Sequence, residues 1–298
     1  MEVIQNVGIY GGIEFNDLLD KHGIPLADVH LLRHSPSEPK LRKVLPWLVS
    51  TRPEVFEAYQ RTHSEETERL IRRRPYVASF IAHDKEQSIF VGLYSLKGGS
   101  MIRGDRFWSI PHLEELRTLG MKGTKRHEIF LFEFERVTTF FPEWQGRLVC
   151  EIPPGRNILR LAENNLSKVV AIHPLSILEA EMPDWNKVCL TWAELKMIPQ
   201  GWKIKLREWR GIYFIFDTSS SQGYVGSAGG QENLLGRWLN YKDTGHGGNV
   251  KLKKRDPANF RFSILERVSP DMTKEDLCDL ETRWKVRLHT RDYGLNDN

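Results

Sequence analysis

The sequence predicts an α+β protein in two parts: a mixed, strand-rich amino-terminal domain over residues 1–200 and a smaller carboxy-terminal domain over 201–298. Three observations carry this reading. A length of 298 residues is a prior for two domains and suffices for more than one buried core. Up to about residue 200, short apolar runs alternate with turn residues and few helical stretches intervene. From Gly211 onward the pattern sharpens into hairpin, helix, strand and long helix.

Taken in order, ADVHLLRH (27–34) reads as a strand, after which Pro36, Pro39, Pro46 and Pro53 break up the chain. Ser50 and Thr51 before Pro53 form a helix start, and Val55, Phe56, Tyr59, Leu70 and Ile71 suit one face of the helix that follows. YVASFIAH (76–83) and SIFVGLYSL (88–96), separated by DKEQ, read as a hairpin. IFLFEFERV (129–137) and RLVCEI (147–152) add strands before Pro153, Pro154 and Gly155. Thr191 caps a helix running to Met197, and Pro199 with the basic stretch WKIKLREWR places the domain boundary near 199–210. There is no internal repeat. The tripeptide Gly8, Ile9, Tyr10 returns at 211–213, but nothing downstream of the first copy matches the second.

Composition excludes several classes. With 40% hydrophobic and 28% charged residues the chain is neither disordered nor fibrous. No apolar run approaches the roughly 20 residues that cross a bilayer, so no membrane partner is expected. The start lacks a secretion signal, which makes a cytoplasmic location the expectation. Cys150, Cys189 and Cys278 are too few and too scattered for a disulfide scaffold or a CxxC zinc site, so any metal must be held by oxygen or histidine. A net charge of +4 permits nucleic-acid binding without demanding it, and what matters is where the bases cluster. Arg69, Arg72, Arg73 and Arg74 end one helix; Lys203, Lys205, Arg207 and Arg210 precede Gly211; Lys251, Lys253, Lys254 and Arg255 form a third patch. A solvated helix end or loop explains each cluster equally well.

In the last ninety residues, GIYFIFD (211–217), the turn SSSQG and YVGSA (224–228) form a hairpin that brings Tyr213 near Tyr224. Glu232–Tyr241 reads as a helix with Leu234, Leu235, Trp238 and Leu239 available for burial and Arg237 on the other side. FRFSILERV (260–268) is a third strand. Residues 272–288 form a long helix in which Leu277, Leu280, Trp284 and Leu288 make an apolar stripe, with Glu281 beside it. A carboxylate there is either half buried and paired, or a metal ligand.

This segment resembles the GIY-YIG nuclease family: GIY at 211–213, YVG at 224–226, Arg237 on the next helix, Glu281 on a later one, and Asn296 in a terminal GLN. The resemblance covers less than a third of the chain. It implies a small three-stranded antiparallel sheet with flanking helices and a metal-dependent endonuclease activity on double-stranded DNA. It also implies one divalent cation per active site, Mg2+ or Mn2+, held by Glu281, a carboxylate being the ligand such a hard ion takes. Arg237 is implied to hold the non-bridging phosphate oxygens. Tyr213 would orient the attacking water, with acceptance of its proton left open because a phenol of pKa near 10 is a poor base. Tyr224 would bond within the same cluster. Tyr241, one turn after Arg237, and His246 in TGHGGN are alternatives for assisting the water, and Asn296 would bond within the site or lock the terminal segment. Val225 replaces the isoleucine of the second motif, and Ser227 stands where several relatives place a lysine, so the proton path stays open, with Lys242, Lys251 or His246 as substitutes.

The resemblance further implies that a core this small recruits its selectivity from an attached domain. The strand-rich, basic, tryptophan-bearing amino-terminal domain is similar in character to PUA-like modules that read flipped or modified bases. Trp47, Tyr59 and Trp108 are candidate walls of a base pocket, although ordinary core packing explains each as well. Arg69, Arg72, Arg73, Arg74, Arg103, Arg106, Lys125 and Arg126 are candidate phosphate contacts. The expected function is a restriction or host-defence endonuclease. A structure-selective repair or recombination nuclease, or a catalytically silent DNA-binding protein, are the alternatives. One centre cuts one strand, so double-strand scission needs a homodimer or two visits.

Overall fold

The computed structural model describes residues 12–152, 155, 158–179, 181–230, 233–244, 250–253 and 255–297, without the side chains of 242–244, 250 and 253. It is an α+β chain that divides into two compact units. The first ends at Glu179; the second begins after it and also takes in 50–52 and 117–121. Among the described residues no helix is long and apolar enough to cross a membrane.

The first unit contains α1 (Phe15–Lys21), β1 (Val29–His34), α2 (Pro39–Thr51), α3 (Pro53–Gln60), α4 (Glu65–Ile71), β2 (Tyr76–Ala82), β3 (Gln87–Arg103), α5 (Leu113–Thr118), β4 (Glu128–Arg136), β5 (Leu148–Glu151), β6 (Leu159–Leu161) and β7 (Val169–Ile172). The sheet order is β6-β1-β2-β3-β5-β7, with β4 on the second half of the long β3. Only β1 and β2 run parallel among the described pairs. Phe15, Phe80, Phe90 and Phe140 meet edge-on or tilted at centroid distances of 5.1–5.9 Å and fill one core. Leu32, Ile71, Val77, Phe132 and Leu159 form a second cluster.

Two helices differ from the sequence expectation. The proline-rich stretch after β1 is not broken: α2 starts on Pro39 and carries Pro46 inside. Pro39 at the first position needs no amide partner. Leu41, Val44, Leu45, Trp47 and Leu48 are buried at helical spacing, and that burial outweighs the roughly 3 kcal/mol an interior proline costs. The single helix expected after Pro53 is two, because Ser64 starts α4 afresh by accepting a hydrogen bond from the Thr67 amide.

The second unit contains β8 (Cys189–Thr191), α6 (Trp192–Leu195), α7 (Gln200–Glu208), β9 (Arg210–Asp217), β10 (Gln222–Ala228), α8 (Asn233–Thr244), α9 (Val250–Lys253), β11 (Phe260–Val268) and α10 (Lys274–Arg287). Its sheet has four strands, β10-β9-β11-β8, where three were expected. The fourth arises because Cys189–Thr191 pairs antiparallel with Arg261–Ser263, which moves the expected boundary at 200 back to about 180. Thr191 then caps α6 in a capping box with Glu194. The basic stretch before Gly211 is helical, with Trp202 and Leu206 buried.

Strand alternation gives this sheet two different faces. Ile212 and Val225 pack with Leu277 and Leu280 of α10. The opposite face carries Phe260 and Phe262 against Trp238 and Tyr241 of α8. Tyr213, next to Ile212 in β9, points to that second face and meets Tyr241 there.

Candidate active site

The hairpin register places Gly226 directly opposite Tyr213. Cross-strand partners share a face, so Tyr213, Gly226 and Tyr224 do as well. A Cβ on Gly226 would lie 2.5 Å from Tyr213 Oη and 2.9 Å from Tyr224 Cε1. The glycine of YVG is therefore a matter of space: its missing side chain is where the phenols sit. Gly211 of GIY is equally tight, since a Cβ there would meet the Glu266 carbonyl oxygen at 2.1 Å, where β11 bulges between Ile264 and Glu266.

Three phenols form the cluster. Tyr213 and Tyr241 hydroxyls are 3.2 Å apart. The Tyr224 ring lies 6.3 Å from that of Tyr213 and 6.5 Å from that of Tyr241. Burial raises the pKa of all three above the ordinary tyrosine value, and the neighbouring Tyr224 phenol adds to the effect at Tyr213. At both Tyr213 and Tyr224 the Arg237 guanidinium opposes the rise and the Glu281 carboxylate reinforces it. Four elements, β9, β10, α8 and α10, thus bring Tyr241, Arg237 and Glu281 each within electrostatic reach of Tyr213 and Tyr224. Arg237 is exposed. The phenols are neutral at ordinary pH and can orient a water but not take its proton.

Glu281 has a partner that sequence reasoning missed. Lys285, one helical turn on, places Nζ 2.8 Å from Glu281 Oε1, with the lysine side chain only 5% exposed and the glutamate 17%. The signal was present in the Glu-to-Lys spacing of four along α10, but nothing in the pattern distinguished this pair from a solvated one. Among the described residues no three His, Cys, Asp or Glu gather as a metal cage. A single carboxylate still suits a magnesium ion, which keeps several waters and takes its other ligands from substrate phosphate.

Asn296 faces the backbone of β10, not the phenols. Its Oδ1 accepts from Val225 N at 2.9 Å and its Nδ2 donates to Val225 O at 2.8 Å, while Leu295 N donates to Gly223 O. Of the two roles left open for it, the geometry is that of locking the terminal segment. His246 and Lys254 lie outside the described residues, as does the side chain of Lys253.

The expected DNA contacts separate into exposed and engaged groups. Lys205 and Arg207 are exposed on α7 and Lys203 is half buried. In the third patch Lys251 binds the Asn296 carbonyl at 3.0 Å, and Arg255 binds Gln222 at 2.9 Å and faces the buried Asp217 carboxylate at 3.5 Å. Both tie the chain to itself. In the amino-terminal unit Arg73 is exposed, Arg74 half buried, and Arg72 stacks on Phe130 at 4.6 Å. Arg126 forms a two-pronged ion pair with the buried Glu68 at 2.7 and 2.8 Å. Trp47, Tyr59 and Trp108 each pack against other side chains of the unit. Trp47 is 2% exposed and belongs to the core of α2. Tyr59 packs on His34 and Phe56, and Trp108 lies edge-on to Phe107. None of the three lines a pocket of about 300 Å³ in this unit, whose walls include Gln60, Tyr94 and Phe134.

No family model and no curated protein matches the chain. Two solved structures resemble part of it. A point mutant of the catalytic domain of intron endonuclease I-TevI is 27% identical, covering 30% of this chain and 94% of that one, with a TM-score of 0.26. The catalytic domain of homing endonuclease I-TevI is 28% identical, covering 30% and 98%, with the same TM-score.

Proposed function

We propose that the carboxy-terminal unit is a metal-dependent DNA endonuclease of GIY-YIG type, serving restriction or host defence, with the amino-terminal unit choosing the target. The observation that carries this is the gathering of Tyr213, Tyr224, Tyr241, Arg237 and Glu281 from four separate elements around one cluster. Glu281 would hold the magnesium or manganese ion, which when bound supplies Lewis-acid neutralisation of charge on the scissile phosphate and the departing 3′ oxygen. Arg237 grips the non-bridging oxygens as charge grows in the transition state. Tyr213, protonated and hydrogen-bonded to Tyr241, aligns the attacking water. Tyr224 bounds the same space, and the glycine at 226 keeps it open.

The test is incubation of the full chain with plasmids grown in methylating and non-methylating hosts, with magnesium or manganese. Cleavage of at least one is expected, lost in Glu281→Ala while DNA affinity persists. Absence of cleavage of any DNA under conditions where binding is measured would count decisively against it. Arg237→Ala is expected to slow cleavage about a hundredfold to a thousandfold, the usual cost of removing a preorganised donor.

One observation favours the second reading, a silent DNA-binding protein: Lys285 already neutralises Glu281. Salt-dependent binding without turnover in either metal would establish that alternative.

A further inference from the structure

Trp209 lies between α7 and β9, and the Arg267 guanidinium sits 5.3 Å from the centre of its ring. The two line a pocket of about 360 Å³ together with Arg210, Ser269 and Pro270. Its floor is fixed, because the Arg210 terminal nitrogens donate to the carbonyls of Pro270 and Met272, the latter at 2.9 Å, while among the described residues its buried Nε has no hydrogen-bond partner. Arg267 itself is exposed. The Trp209 ring with the exposed Arg267 guanidinium over it, in a pocket whose wall also carries the Glu208 carboxylate, offers a flat π system and one cation to a nucleotide.

The register relates this pocket to the tyrosine cluster. Arg267 pairs with Gly211, two residues before Tyr213 in β9. Alternation puts the three on one face, with Arg267 about 7 Å along the strand from Tyr213. One DNA strand advances about 3.4 Å per nucleotide, so the pocket stands about two nucleotides from a phosphate held at the cluster.

We propose that this pocket is a nucleotide subsite: a base of the substrate strand stacks on Trp209 while its phosphate pairs with Arg267. The inference rests on the nuclease reading and names a second place where the strand is gripped, one that requires a base to leave its stack near the cut.

The test uses the full chain in a Glu281→Ala background, so that DNA stays intact, with fluorescein-labelled dT12, an abasic strand of the same length and a 20-bp duplex as probes. Trp209→Ala and Arg267→Ala should each weaken dT12 binding about tenfold, within the range seen for base–aromatic stacking. The parent should prefer dT12 to the abasic strand, Trp209→Ala should erase that preference, and Trp209→Phe should restore most of it. Arg267→Ala should lower the salt slope by about one. Being exposed, Arg267 gives a result even if Trp209→Ala folds poorly. Unchanged dT12 binding in Arg267→Ala and Trp209→Phe, with no preference over the abasic strand in the parent, overturns the subsite. So does a loss confined to Arg267→Ala, which would leave a bare phosphate contact. If the wild-type chain cuts DNA in those cases, the nuclease reading survives alone; if it neither binds nor cuts DNA, the nuclease reading fails first.

Discussion

At the scale of single residues, the site depends on what Gly226 lacks and on what Lys285 adds. Since a Cβ at Gly226 would overlap the Tyr213 hydroxyl, Gly226→Ala must push the phenols apart or open the hairpin. Cleavage is expected to fall at least about a hundredfold, on the scale of misplacing catalytic groups, with the fold retained by circular dichroism; near-normal cleavage would show that the phenol positions do not matter. Lys285→Met removes the partner of a largely buried carboxylate. Breaking such a pair typically costs about 3–5 kcal/mol, and the lower end applies because Glu281 keeps some exposure. Urea denaturation at pH 7.5 checks this, and an unchanged midpoint would mean that water already screens the pair.

At the scale of elements, the terminal segment is fastened to β10 through one side chain. Asn296 reproduces a strand's pair of hydrogen bonds at Val225, whose neighbours Tyr224 and Gly226 belong to the cluster. Asn296→Ala leaves both Val225 backbone groups buried without partners, a loss of about 1–3 kcal/mol, and hydrogen exchange at the Val225 and Leu295 amides should accelerate. Protection unaltered in that variant would remove Asn296 from the structural role. The same element shows why part of the site was legible in the sequence and part was not. The hairpin, α8, β11 and α10 followed from alternation, glycines and helical periodicity, which act locally. The nearness of Tyr213 to Tyr224 followed from the hairpin in the same way, whereas the place of Arg237 and Glu281 beside them was an expectation from the family resemblance. The roles of Asn296, Arg255 and Lys285 depend on which backbone or carboxylate stands opposite them, and β8 exists as a strand only because β11 is beside it. Local pattern carries no such information. In the amino-terminal unit the aromatic residues were visible, but whether each faces a pocket or a core is decided by packing between elements distant in sequence.

At the scale of the whole molecule, the amino-terminal unit couples its stability to pH through histidines buried among aromatic rings. His34 packs against Phe56 and Tyr59, and His63 against Phe132. Among the described residues neither Nε2 has a hydrogen-bond partner. Burial lowers the His34 pKa to about 3, helped by the nearby His63, and lowers that of His63 to about 4 against the opposing pull of the Gln60 carbonyl and Glu68. In the unfolded chain both titrate near 6.5. Above that pH both states hold neutral imidazoles, and the two residues contribute no pH dependence. Between about 6.5 and 4 the unfolded chain binds protons that the folded chain refuses, so stability declines as pH falls through this window. Urea midpoints measured at pH 7.5, 6.5, 5.5 and 4.5 should be level across the first interval and then drop. Replacing both histidines by glutamine should flatten the drop whatever it does to stability at pH 7.5, because glutamine cannot take up the proton that drives it. A slope that survives the double replacement would move the effect to carboxylates or to His30, whose pKa burial also lowers.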